Sequence, residues 1–310
     1  MKINIPENLK SELPQNSWGK ILGATPVAMT VVATLLAGLA SSEMTRAQYD
    51  RSLAAQLQSK AGDQWSFFQA KKLRGALQHT TLDLMSGAVS VRPLDSKALG
   101  AALAGTPAAA ELGSQAGQQT LEILAGGGMP TAGPAPQADP AVKEALSALE
   151  VQRPEAEIAL ILARISPARL EEGLRGAQAR SLAFDAVAKP VSRMMDLIEK
   201  DLAGSGSGAE IRRDFVAARL EANARRYDIE ASLNQAVASY YELQVRKENL
   251  SAERHHRRSQ KFFYGMLGAQ MGVIISTLAM AARNRSLLWS LAAAAGSAAI
   301  IFALYVYLWV

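Results

Sequence analysis

Cysteine is absent from the 310 residues, so the chain has no disulfide, no thiolate nucleophile and no Cys-ligated metal. Histidine is almost as scarce. His79, His255 and His256 are the only three, and no two of them stand one turn apart, the spacing a helical zinc site needs. Aromatic residues make up 6% of the chain. No Gly-x-Ser-x-Gly, His-Glu-x-x-His or dinucleotide fingerprint occurs, and Gly126-Gly127-Gly128 lacks the Lys-Ser/Thr that completes a phosphate loop. These gaps remove the usual equipment of covalent and metal-dependent catalysis. The expectation is a non-enzymatic protein with no catalytic residue, no metal and no cofactor.

Charge is missing from three long stretches, residues 21–40, 262–282 and 286–310. About 20 apolar residues in helix cross the hydrocarbon core of a bilayer, where the backbone must bond to itself. The reading is three transmembrane helices, 18–40, 262–282 and 286–310, the last two forming a hairpin. Residues 1–17 are a polar leader containing Pro6 and Pro14. Gly38-Leu39-Ala40 has the small-residue look of a signal cleavage site, but the apolar run before it is long for a signal, and an anchor is favoured. Hydrophobic residues reach 49% while mean hydropathy is only +0.03. A few spans attached to a long polar part satisfy both values. The net charge of +5 gathers near the spans, which suits anionic lipid headgroups better than nucleic acid.

Residues 41–90 contain one proline-free helical stretch, 41–88, continuing from the first span. Leu53 and Leu57, and then Leu73 and Leu77, stand one turn apart with Trp65 and Phe68 between them, giving an apolar stripe. Within it lies Asp63-Gln64-Trp65-Ser66-Phe67-Phe68-Gln69-Ala70-Lys71. This motif resembles the Asp-Gln-Trp-x-aromatic-aromatic-Gln-Ala-Lys signature of the bacterial membrane family catalogued as domain-of-unknown-function family 4337. The layout is similar too, with one span before the motif, a helical middle and a terminal hydrophobic hairpin. The resemblance implies architecture and a bacterial inner membrane, and it carries no activity. From the residues themselves, Trp65, Phe67 and Phe68 form an aromatic packing layer where this helix meets another, with Asp63 and Lys71 solvated at its edges.

Residues 91–140 are rich in Ala, Gly and Pro and read as an insertion, with short helices near 99–110 and 111–124 and a flexible linker over 126–137. Residues 141–208 read as a small helical head. Asp139-Pro140 opens one helix, Pro154 with Glu155 and Glu157 a second, Ser166-Pro167 a third, and 184–202 is a further amphipathic stretch before the hinge at 204–208. Residues 209–261 contain no proline, and from Glu210 no glycine either. Ile229, Leu233, Ala236, Tyr240, Leu243 and Leu250 follow heptad-like spacing that Lys247 interrupts, and Glu221–Arg225, Glu242–Arg246 and Glu253–Arg257 are i,i+4 pairs.

The expected fold is therefore all-α, with three transmembrane helices, a long antiparallel coiled-coil-like stalk and a small helical head. The apolar stripes hold the stalk together, because both of its helices are basic. Arg254, His255, His256, Arg257, Arg258 and Lys261, directly before the second span, form a basic collar at lipid headgroups. Gly268 and Gly272, and Ala292 and Gly296, give small-residue faces for contact between membrane helices. Basic residues flanking the middle region outnumber those on the other side, which points to a cytoplasmic stalk and head, although Arg283 and Arg285 in the hairpin loop favour the opposite. The leading function is a membrane-anchored scaffold or interaction protein. Its partners are the bilayer, a second copy of itself as a homo-oligomer and a protein of unknown identity, with no nucleic acid. The alternatives are a subunit of an oligomeric pore or transporter, or an envelope-facing tether.

Overall fold

The structure, a computed structural model, describes residues 17–130, 139–204, 208–282 and 285–309. The polar leader before Ser17, most of the proposed flexible linker, the middle of the 204–208 hinge and the centre of the hairpin loop lie outside the described residues. Everything regular among the described residues is helical. The elements are α1 (Ser17–Ala88), α2 (Ser96–Ala102), α3 (Pro107–Glu111), α4 (Gln115–Leu124), α5 (Pro140–Glu150), α6 (Glu155–Ala163), α7 (Pro167–Gly204), α8 (Ala209–Ala281) and α9 (Arg285–Trp309). Helices α1, α8 and α9 are long and apolar enough to cross a membrane. The chain forms two compact units, the first made of Met1–Ala54 with Glu248–Val310 and the second of Ala55–Lys247.

In the first unit, α1, α8 and α9 share one apolar core of Ala33, Leu36, Ala40, Phe262, Ala269, Ala299 and Val306. Pro26 lies inside α1 without ending it, and Thr25 and Thr30 in the same turns donate their hydroxyls to the carbonyls of Ile21 and Pro26. Such back-bonding keeps a hydroxyl satisfied where no water is available.

In the second unit, α8 is packed on two faces. One carries Ala224, Ala231 and Ala238, all fully buried, and then Val245. It meets α1 running the other way: Trp65 lies opposite Glu242, Lys71 opposite Glu230, and Gly75 against Ala224 and Tyr227. The second face follows another seven-residue ladder. Arg219 bonds Asp196 and Glu199 of α7, Arg226 bonds Ser192, and Leu233 packs with Phe184 and Ala188. Tyr240 lies against Gly173. The next rung is Lys247, whose Nζ donates to the carbonyl of Leu162 in the last turn of α6 at 2.8 Å. The lysine that interrupts the apolar heptad thus finds an acceptor at the C-terminal end of α6, where a cation is favoured.

Three sequence expectations are corrected here. Only part of the apolar stripe of α1 faces α8: Trp65 bonds Glu242, whereas Leu73 and Leu77 are 64% and 56% exposed and Ala61 and Gly75 are buried instead. The two segments expected after Ser166 and over 184–202 are one helix, α7, with Pro190 inside it. Leu170, Leu174, Ala177, Phe184, Ala188, Val191, Met195, Ile198 and Leu202 form one continuous buried stripe along it. Seating that stripe outweighs the ~3 kcal/mol that an interior proline costs. Of the three expected i,i+4 pairs, Glu242–Arg246 does not form, because Glu242 accepts from Trp65 and Arg246 turns to Glu155.

The Ala/Gly/Pro-rich segment folds into α2, α3 and α4, capped by Asp95, Thr106 and Ser114. It breaks twice where one break was expected, the first at Gly105 with φ +81°. Leu94, Leu99, Leu103, Ala108, Ile123 and Leu124 enter one core with Met194, Met195, Ile198 and Leu202 of α7 and Phe215 of α8. Asp201 of α7 accepts from the Ala108 amide at 2.8 Å, and Asp214 of α8 accepts from the Arg92 amide at 3.1 Å.

Gly173 has a specific role on α7. A Cβ placed there would lie 2.4 Å from Cε1 of the Tyr240 ring, which is buried. Overpacking of that kind costs about 1–3 kcal/mol, and the helix gains back up to ~1 kcal/mol when glycine becomes alanine. Gly173→Ala is therefore expected to destabilise the second unit by about 1 kcal/mol, measured as a lowered denaturation midpoint that Tyr240→Leu in the same chain partly restores.

Candidate functional site

A cleft of about 680 Å³ opens in the second unit. It is lined by Leu146 and Leu149 of α5, Ile158 of α6 and Trp65 of α1. It is also lined by a polar stripe on one face of α8, Ser232, Gln235, Ser239, Glu242 and Arg246. The volume lies in the range of small-molecule sites, and the mix of apolar and polar lining suits an amphiphile. Gln152 in the turn between α5 and α6 lines it with a φ of 53°, a left-handed conformation that a glutamine adopts at a cost.

Several polar groups of the cleft have partners. Trp65 Nε1 donates to Glu242 at 2.6 Å, and Arg246 bonds Glu155. Burial pushes the Tyr240 phenol above its ordinary 10.0, since the phenolate would be poorly solvated. Tyr240 remains neutral in the fold after an unfolded tyrosine has ionised. Its contribution is complete below pH 10.0 and declines as pH rises further. The chain should lose stability on alkaline titration above that point, and Tyr240→Phe should show a shallower loss in matched melting curves.

The three aromatics of the motif separate. Trp65 and Phe68 meet edge to face at 5.3 Å and turn toward the interior, while Phe67 is 53% exposed. Lys71 is bonded to Glu230 rather than solvated. The motif therefore joins α1 to α8 through Trp65 and Lys71, with Phe68 packed on Trp65.

The basic collar also divides. His255 Nδ1 lies 2.5 Å from Glu43 and its Nε2 lies 4.0 Å from Asp50, in a cluster whose side chains are less than one-fifth exposed. His256 contacts Gln260 at 3.0 Å and lines an apolar groove with Ala37, Met44, Phe263 and Tyr264. Arg254 faces solvent. Arg257 is exposed and bonds Glu253 at 2.8 Å, which holds the Glu253 carboxyl below its ordinary value. Lys261 stands 5.9 Å from the Tyr305 ring, and Arg258 is half-buried. Only Arg254 and Arg257 of the six are fully presented outward. Sequence reading missed Glu43 and Asp50 because their partner is more than 200 residues away. Among the described residues no group of three His, Asp or Glu is arranged to hold a metal.

In the membrane-type helices, the small residues receive a methionine. Met29 of α1 sits against both Gly272 of α8 and Gly296 of α9, and Gly272 faces the Ala292 carbonyl. Gly268 faces Ala299. Trp289 of α9 donates to Thr25 of α1 at 3.0 Å.

Residues 18–116 match the family described as "Domain of unknown function (DUF4337)". No curated protein and no solved structure matches the chain. The DUF4337 match takes in the first apolar run, all of α1 after it and the helices α2 and α3. It therefore passes through the start of the Ala/Gly/Pro-rich segment read above as an insertion. The cleft's Trp65 is in the DUF4337 stretch, whereas its other walls come from later in the chain.

One surface is left over. On α1, Leu73, Leu77 and Leu84 are 64%, 56% and 70% exposed, and they share one helix face with Ala70 and Thr80. The opposite face of the same helix is the one buried on α8. Isolated exposed leucines are ordinary, but three at a and d spacing form a stripe.

Proposed function

We propose that this chain is a non-enzymatic, membrane-anchored helical scaffold that presents its second unit to protein partners. The exposed Leu73, Leu77 and Leu84 stripe carries this reading, because water-facing leucines at seam spacing are unfavourable unless another surface covers them. Paired α1 and α8 act as a coiled-coil stalk, a role supported by small buried residues at seven-residue spacing, Ala47, Ala54 and Ala61 on α1 and Ala224, Ala231 and Ala238 on α8. The bundle of α2 to α7 serves as the head. The spans sit in a bacterial inner membrane with the second unit in the cytoplasm, since basic residues concentrate on that side of the spans.

Two measurements test this reading. Alkaline phosphatase inserted between residues 126 and 137 is expected to be inactive, and an active fusion would reverse the orientation. Leu73→Asp with Leu77→Asp is expected to keep the helical circular dichroism while shrinking the native complex extracted from membranes. A complex of unchanged size would sink the scaffold role of this stripe.

A further inference from the structure

We propose that the groove between α1 and α8 at the edge of the charge-free runs holds one phospholipid with an anionic headgroup. Such a lipid site is independent of the scaffold role. The groove encloses about 460 Å³ within the first unit. Its polarity changes along its length. Ala37, Ala40, Phe263, Tyr264 and Met266 line one part and belong to the outermost turns of the charge-free runs 21–40 and 262–282. Ser41, His256 and Gln260 line the other part and lie just outside those runs. A lipid has the same order, with chains toward the bilayer centre and polar oxygens at its edge. A further membrane helix would need an apolar seat along a whole span, whereas this lining reaches only to Ala37 on α1 and Met266 on α8.

The side chains at the polar end select the headgroup. Arg257 stands seven residues before Tyr264 and three before Gln260, so it rises on the groove's side of α8. Its Nε donates to Glu253 at 2.8 Å, which leaves both terminal nitrogens of the exposed guanidinium as donors for a phosphate. Arg51 of α1 lies close enough to stabilise the same carboxylate. Two cations around one carboxylate leave a net positive charge at the mouth of the groove. Phosphatidylglycerol, whose phosphate is its only headgroup charge, balances it. Phosphatidylcholine brings its own cation and gains less. Ser41, also exposed, offers a hydroxyl to the ester oxygens. Phe263 and Tyr264, whose rings meet edge to face at 6.4 Å, supply the aromatic surface typical of the headgroup level.

The test places the full chain in phosphatidylcholine vesicles that contain, as a minor component, phosphatidylglycerol with a diazirine near its ester groups. A matched phosphatidylcholine probe is run in parallel. After irradiation, mass spectrometry compares adducts on Tyr264 with those on Leu35, an exposed residue of α1 outside the groove. The phosphatidylglycerol probe is expected to mark Tyr264 about fivefold more than the phosphatidylcholine probe, as one net basic charge implies, with the two probes equal at Leu35. Arg257→Gln, a change at an exposed side chain, is expected to make them equal at Tyr264 as well. Ala37→Phe, which fills the groove, is expected to abolish the same excess while helical circular dichroism is unchanged. Equal marking of Tyr264 by both probes in the unaltered chain overturns the anionic headgroup. An excess that survives Arg257→Gln overturns the role of Arg257, and one that survives Ala37→Phe overturns the groove as the seat. Protection of Tyr264 from both probes overturns the lipid altogether and assigns the groove to a covering protein.

Discussion

Replacing Ala231 with leucine is expected to destabilise the second unit by about 3 kcal/mol, more than any substitution of the exposed leucines on α1. Ala231 has no exposed surface and sits one heptad from Ala224, whose carbonyl lies 3.7 Å from a Cβ built on Gly75. Side chains this small set the separation of two helices. Three added carbons have no space, so the axes must part, and parting them strains the Trp65–Glu242 and Lys71–Glu230 contacts along the same face. Leu77→Ala, by contrast, removes a side chain that is 56% exposed and should change stability by less than about 0.5 kcal/mol. Chemical denaturation of the two variants checks both claims. Equal loss, or a larger loss for Leu77→Ala, would show that the leucine face and not the alanine face is the packed one.

Leu99→Ala should cost about 3 kcal/mol, within the range for removing a buried leucine from a filled core. Leu99 is fully buried beside Leu103, Ile198 and Phe215, and its helix α2 spans only seven residues. A helix so short has no independent stability, so the loss should spread: hydrogen exchange of α3, and of α7 around Ile198, should accelerate together with that of α2. If residues 91–124 merely decorated the surface, the denaturation midpoint would stay put and only α2 would exchange faster.

The legible parts of the chain were those set by local rules. Asp139 accepts from the Ala141 amide at 2.9 Å with Pro140 at the first helical position, as a capping signal read from sequence requires. α1 continues from an apolar stretch into a polar one, and α8 from a polar stretch into an apolar one, without interruption, since no glycine or proline cluster intervenes. The aromatic motif was read as a contact layer, and two of its three rings behave so. Its third ring and the leucines that follow could not be placed, because hydrophobicity alone does not say which face of a helix meets a neighbour. The basic neighbours of His255 point to lipid headgroups, whereas its environment is set by Glu43 and Asp50, more than 200 residues away in sequence.

By itself the amino-acid order determined the all-helical class, the three charge-free runs and the helix starts, each being a property of a few consecutive residues. Tertiary structure alone decided that alanines rather than leucines join α1 to α8, and that the Ala/Gly/Pro-rich segment is core. The physical reason is that close packing depends on the shape of the facing surface. A methyl group buried against a small neighbour lets backbones approach, and a leucine with no facing groove remains in water.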